Sequence, residues 1–319
     1  MGWTKWRRRE PGGTADLGSE SLGVQSPNGS LETLLTSPRP WRLVVDSDCD
    51  NEVDDPFAIA HALLSPDRVR VEALTSAHYC NERAATSELG LRKSHEAIDV
   101  LLDAMELTGK VPVAMGAPGP MAASQRPRES DASRLITDLA LNGEGPLIVA
   151  SIGAATNVAS AIAARPEIAE RLVVVWLGGH ALDWPDAQEF NLMGDPVAAQ
   201  RLLDGPAPLV LVPALGVSSH MLVSLAQLRQ DMPATALGRH LAALVADQYG
   251  DRGRGYAKEI WDMAATGWAI QPDWVPTKAI PSPILRNGVF LHDADRHTVW
   301  MARWCSRNAI FGDFFSKMA

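Results

Sequence analysis

Six carboxylates fall within ten positions of this chain: Asp46, Asp48, Asp50, Glu52, Asp54 and Asp55, directly after the largely apolar run from Trp41 to Val45. Like charges at such spacing repel one another. A fold can hold them near its core only if a cation or a set of hydrogen-bond donors neutralises them. The flanks place them there. Residues 41–45 have the length and composition of a buried strand, and residues 57–64 read as an apolar helix. Pro56 suits a first helical turn, where its missing N–H is not needed, and it biases Asp55 toward an extended, cap-like conformation. Asp54 and Asp55 would then sit at the positive end of the helix dipole. The loop offers only hard oxygen ligands and has no Cys or His at metal-binding spacing, which favours Ca²⁺ or Mg²⁺ over zinc. Asp46 and Asp50 are expected outside the ligand set, and Cys49 is assigned to packing.

The rest of the chain supports a core large enough to carry that loop. It has 319 residues, 46% of them hydrophobic, and a formal net charge of −9. The negative balance argues against a nucleic-acid backbone or an anionic membrane as partner. Three widely spaced cysteines, Cys49, Cys80 and Cys305, do not suggest a disulfide framework, and a reducing cytosol is the expected location. Arg7-Arg8-Arg9 is not followed by an apolar segment, so no secretory signal is expected.

Residues 1–40 are rich in Gly, Ser, Pro and Thr and read as an extension that is partly disordered. From residue 41 onward strands and helices alternate. Strands are expected at 42–46, 69–75, 111–115, 146–151, 171–177 and 208–213, with a long helix over 82–107. This order predicts an α/β fold: an open, mainly parallel sheet with helices on both faces and a Rossmann-like core, in a single domain over 41–319. Beyond residue 215 the pattern turns more helical. A late hairpin is expected over 289–302, around Asp293-Ala294-Asp295. Loops at the carboxyl ends of such strands form the ligand crevice.

Several segments resemble the nucleoside hydrolases, the inosine–uridine-preferring N-ribohydrolases. Asp46-Ser47-Asp48 followed by Asn51-Glu52-Val53-Asp54-Asp55 is similar to a long-spacer form of their N-terminal signature. Ile152-Gly153-Ala154-Ala155-Thr156-Asn157 resembles their Gly-Pro-Leu-Thr-Asn turn, and Glu189-Phe190-Asn191 their ribose-binding segment. Trp261-Asp262 resembles the late aspartate of the metal site. The resemblance covers roughly residues 41–270. It implies Ca²⁺ as cofactor, with Asp48, Asp55 and Asp262 as carboxylate ligands and the Thr156 backbone carbonyl as a further one. It also implies that Asp54 accepts from a ribose 2′-hydroxyl, that Glu189 and Asn191 hold the sugar, and that Asn81 lies near it. The implied reaction is hydrolysis of a ribonucleoside N-glycosidic bond, with the water held at the cation and deprotonated by Asp48. Relatives are commonly homodimers or homotetramers.

Two departures bear on substrate. Many members place a His before the late aspartate, as acid to the leaving base; a purine-preferring branch has Trp there, and so does this chain, at Trp261. A stacked purine and a role in purine salvage follow from the resemblance. The 180–188 segment is short, and Asp183 or His180 would fill the space of a missing ribose-contacting Asn. His220 is expected to be structural. Residues 251–256 could form a lid, with Tyr256 reaching the substrate. Two other classes fit parts of the pattern. A haloacid-dehalogenase-like phosphatase also begins with a strand and Asp-x-Asp, its first Asp being a nucleophile. A non-catalytic family member that binds a ribosyl ligand would explain the absent acid.

Overall fold

The computed structural model describes residues 29–253 and 255–319. The elements run in the order α1 (Gly29–Thr36), β1 (Trp41–Ser47), α2 (Asp55–Leu63), β2 (Val69–Ser76), α3 (Ser87–Ala104), β3 (Val113–Met115), α4 (Asp131–Asn142), β4 (Leu147–Ser151), α5 (Thr156–Ala164) and β5 (Leu172–Leu177). They continue as α6 (Phe190–Gly194), α7 (Pro196–Asp204), β6 (Leu209–Val212), β7 (Leu222–Ser224), α8 (Leu225–Asp231), α9 (Ala236–Tyr249), β8 (Ala257–Glu259) and α10 (Met263–Ile270). The last are β9 (Thr277–Pro281), β10 (Ile284–Arg286), β11 (Val289–Leu291), β12 (Thr298–Ala302) and α11 (Arg307–Met318).

The expected α/β architecture is present. Eight strands form one sheet in the order β3-β2-β1-β4-β5-β6-β12-β9, parallel throughout except for β9 against β12. All six strands expected from the sequence belong to it. Their near-continuous Val/Leu/Ile content follows from burial on both faces. Alternate residues feed two separate cores. Leu43, Val45, Ile148, Ala150, Val173 and Val175 face one, packed under α2, α3, α9, α10 and α11. Val44, Leu147, Val149, Val174, Trp176 and Leu211 face the other, under α4, α5 and α7.

The sheet order reverses between β1 and β4. β1 pairs with β2 on one side and with β4 on the other, so the connections leaving β1 and β4 diverge and open a crevice above their carboxyl ends. The acidic loop, 48–54, leaves from β1 at that point.

Three expectations need correction. Residues 1–28 lie outside the described residues, but 29–36, grouped with the extension from composition, form a helix. Leu31 and Leu34 of α1 are buried, and Ser30 Oγ donates to the Leu172 carbonyl at 2.7 Å. Two leucines three residues apart were enough to anchor one short helix. The long helix begins at Ser87 rather than 82, because Thr86 caps it by accepting from Leu89 N–H. The late hairpin is a different one. β10 and β11 pair around Asn287-Gly288, both at positive φ (52° and 73°), whereas β12 joins the main sheet between β6 and β9. Asn-Gly is the stronger hairpin signal because both residues tolerate the left-handed conformation the turn requires.

α1 is predicted to contribute to stability. Leu34→Ala should cost about 2 kcal/mol or more, the lower end of the range for a buried Leu→Ala change, in denaturant unfolding.

Candidate active site

The acidic loop divides its six carboxylates by environment. Asp46, the last inward residue of β1, is wholly buried and accepts from Thr75 Oγ1 at 2.7 Å, Asn157 Nδ2 at 2.8 Å and Ser151 Oγ at 3.3 Å. Burial pushes its pKa up to about 6 against these hydrogen bonds. Asp50, at φ 77°, turns the chain outward, where Tyr79 donates to it at 2.8 Å and Arg83 and Lys93 pair with it. Glu52 pairs with Lys258 at 2.7 Å.

The remaining three face inward with Asp262. One oxygen each of Asp54, Asp55 and Asp262 lies within 4.8 Å of the others, and all three residues are buried. Asp48 is 2% exposed and its Oδ2 has no hydrogen-bond partner. Burial, reinforced by mutual repulsion, raises Asp48, Asp55 and Asp262 well above the usual carboxylate range. Ser47 Oγ donates to Asp55 at 2.6 Å and fixes its carboxylate. The expected cap-like role of Asp55 is not what forms. Helix α2 starts at Asp55 itself, Asp54 has helical backbone angles, and no side chain caps the helix. Both carboxylates are therefore free to point into the site. An orphaned buried oxygen beside a tight group of hard carboxylates suits a divalent cation.

The opposite wall comes from the end of β5 and from α6. Glu189 caps α6 by accepting from Asn191 N–H at 2.8 Å and Leu192 N–H at 2.9 Å, and it also accepts from Gly179 N–H at 3.1 Å. Burial still pushes it up to about 7. Asn191 donates its amide to the carbonyls of Leu177 at 3.1 Å and Ile152 at 3.3 Å, leaving Oδ1 as an acceptor.

A cavity of about 860 Å³ lies between these walls. Asp48, Asp54, Asp55, Asn81, Glu189, Asn191, Trp261 and Asp262 all line it. Of the metal-ligand and sugar-site residues implied by the resemblance only Thr156 does not. It is buried as the first residue of α5, so its carbonyl enters the helical ladder. Its hydroxyl donates to Asp195 at 2.6 Å and meets His78 Nε2 at 3.0 Å. Ile152, four residues earlier at the end of β4, lines the cavity instead. The neighbouring Asn157 braces Asp46 and also accepts from Ala117 N–H at 2.9 Å.

Asn81 donates to Asn51 at 2.8 Å, next to the exposed Cys80. His180 lines the cavity, whereas Asp183 is exposed and does not. His220 stacks on Trp304 and contacts the Cys305 carbonyl at 2.7 Å, the structural role expected of it. Tyr256 stacks on Tyr249, and it is Tyr249 and Arg252 that line the cavity. Sequence reasoning missed Lys258, Tyr249 and Ile152. Alternation in the short strand β8 places Lys258 inward, but nothing local marks an inward lysine as paired.

A model of the inosine-uridine preferring nucleoside hydrolase family matches residues 45–304. The chain belongs to that family. It is an N-glycosyl hydrolase that cleaves ribonucleosides. The pyrimidine-specific ribonucleoside hydrolase RihA of Salmonella typhimurium is 25% identical over 250 residues, covering 71% of this chain and 79% of that protein. RihA of Escherichia coli O81 is 26% identical over 191 residues, covering 51% and 58%. Among solved structures, the plant nucleoside hydrolase PpNRh1 superposes with a TM-score of 0.70 at 19% identity, over 88% of this chain and 99% of that one. A purine-preferring ribonucleoside hydrolase from Gardnerella vaginalis superposes with a TM-score of 0.70 at 22% identity, over 87% and 98%. These likenesses speak for the fold. The family sets aside the phosphatase alternative. Geometry agrees, because Asp46, the residue that would be the phosphatase nucleophile, is sealed beneath the sheet end by three donors.

The raised carboxylates predict a linkage. Groups with folded pKa above the unfolded value near 4 bind protons more tightly when folded, so metal-free stability falls as pH rises through the folded values. Those values are about 6 for Asp46 and about 7 for Glu189. Buried histidines such as His78, lowered to about 4, act in the opposite sense over the same range, so the site is read from the Ca²⁺-dependent part: the rise in Tm on adding excess Ca²⁺ to chelated protein should be larger at pH 7.5 than at pH 5.

Proposed function

We propose that the chain is a Ca²⁺-dependent hydrolase of ribonucleosides with a purine-type base, releasing ribose and free base. The observation that carries this reading is the buried set Asp48, Asp54, Asp55 and Asp262 facing Glu189 and Asn191 across one cavity, with Trp261 beside it. Asp48, Asp55 and Asp262 would hold the cation. The backbone ligand is assigned to Ile152 rather than Thr156, because Ile152 lines the cavity and its carbonyl accepts from Asn191, another lining residue. When bound, Ca²⁺ supplies a template for two sugar hydroxyls and the attacking water.

The protein groups do the rest. Asp48, with its unpartnered oxygen, takes the proton from the water. Asp54 accepts from the 2′-hydroxyl. Glu189, its two oxygens fixed by three backbone donors, and Asn191 Oδ1 accept from the far edge of the sugar. Asn81 closes the sugar site from the β2 side. The carboxylates also favour the positive charge that develops on the ribosyl ring as the bond to the base breaks. Trp261, half-buried on the cavity wall, offers a face for a purine. The enzyme is taken to work as a homodimer or homotetramer in a reducing cytosol, where its cysteines, two of them buried, stay as thiols.

The test is reducing-sugar release from a panel of purine and pyrimidine ribonucleosides, with chelator and with added Ca²⁺. Release that is lost on chelation and restored by Ca²⁺ is expected, with purine ribosides ahead. Persistence of full activity in chelator would overturn the Ca²⁺ assignment, and a pyrimidine lead would overturn the base. Asp48→Asn should lower kcat by about 10²–10⁴-fold, the range for loss of a general base, with an unchanged circular dichroism spectrum. Near-normal turnover in that variant would remove Asp48 from the role.

A further inference from the structure

One end of the cavity differs in character from the rest. Tyr249 and Trp261 both line it, and the Lys258 ammonium lies 5.6 Å from each ring centroid, so the two rings are neighbours on one wall. Lys258 is 4% exposed and does not itself reach the cavity; its ammonium is held by Glu52 at 2.7 Å. Glu52 does line the cavity. The buried lysine thus pins a carboxylate at the edge of the aromatic wall. Asp247, two residues before Tyr249 on α9, adds a second. Around the whole cavity eight carboxylates face two guanidinium groups; Arg83 is paired with Asp50, and Glu52 with the Lys258 ammonium behind the rings. Arg252 sits at the exposed rim. Even with Lys258 and a bound divalent cation included, carboxylates outnumber the positive charges around the cavity. Aromatic faces bordered by carboxylates form a surface for a flat organic cation.

The same end is poor in proton donors. A neutral base must be protonated as it departs or leave as an anion. Of the titratable donors lining the cavity, His180 accepts from Leu215 N–H at 3.4 Å through Nδ1, and burial lowers its pKa from the ordinary imidazole value. Burial pushes Tyr249 up to about 12. Neither is an acid near neutral pH, and Glu189, raised to about 7, is held on the opposite wall by three backbone donors, away from the aromatic end. A base that already carries a fixed positive charge needs none.

We propose that the aromatic end, formed by Tyr249, Trp261, Glu52 and Asp247, selects ribosides whose base is a heteroaromatic cation, such as an N7-alkylated purine or an N-ribosyl pyridinium. The C1′–N bond breaks and its electron pair stays on the ring nitrogen, which cancels the charge of the departing base. The water oxygen bonds to C1′ and gives its proton to Asp48. The inference rests on the nucleosidase reading above and narrows it.

Two matched pairs test it: 7-methylguanosine against guanosine, and nicotinamide riboside against its neutral dihydro form. The unmodified, Ca²⁺-loaded enzyme should show kcat/KM at least about tenfold higher for each cationic member, the factor expected from cation–π and carboxylate contacts acting together. The ratio should fall severalfold in Glu52→Gln. Asp247→Asn, at an exposed position, should lower it in the same direction and leaves Lys258 paired, so a folding defect in the first variant does not decide the matter. The two pairs separate a purine from a pyridinium preference within the class. A preference for the neutral members, or a ratio that neither variant changes, would overturn the proposal. Ribose release from no member of either pair would instead overturn the nucleosidase reading on which it stands.

Discussion

The structure depends on keeping several carboxylates out of water at the end of β1. Each is handled differently. Asp46 is held by three side-chain donors, Asp50 by Arg83 and Lys93 nearer the surface, Glu52 by a buried lysine, and Asp55 by Ser47. That leaves Asp48, Asp54 and Asp262 without full compensation from the protein. Such a deficit is relieved by protonation or by a bound cation. The sheet reversal between β1 and β4 makes room for one, because the connections there part instead of packing against each other. Fold and site thus share one origin: the strand that carries the charges is also the strand at which the topology opens.

The supports of the site are mostly indirect. Asn157 touches Asp46, the Ser76 carbonyl and the Ala117 amide, and so ties the ends of β1 and β2 to the start of α5. Asp195 gathers Met121 N–H, Ala198 N–H and the Thr156 hydroxyl, and fixes α7 against the same turn. Neither lines the cavity. They hold the backbone from which Ile152, Asn191 and Glu189 project.

The parallel strands were legible because burial on both faces forces long runs of branched apolar residues, and no other element here carries such runs. The acidic loop was legible because its charge density is hard to reconcile with anything but a cation site. Glu189, Asn191 and Asp262 were found through family resemblance rather than from local chemistry, since a lone acidic residue in a loop has many ordinary explanations. What escaped was set by tertiary contact. Thr156 and Ile152 lie four residues apart in one turn, and only the start of α5 decides which of the two residues lines the cavity. Lys258 gains its meaning from Glu52, more than two hundred residues earlier in the chain. The late hairpin was misplaced because the Asp293-Ala294-Asp295 turn competes with Asn287-Gly288, and the backbone angles rather than the polarity of the turn settle the pairing.

The position of Cys80 has a practical side. Among the described residues it is the exposed cysteine, the other two being buried, and its neighbour Asn81 lines the cavity. A thiol-reactive dye or spin label would therefore attach at one place on the native protein, one residue from the sugar site. The unaltered chain already carries a built-in reporter position from which filling of the cavity can be followed by fluorescence or magnetic resonance, independently of turnover.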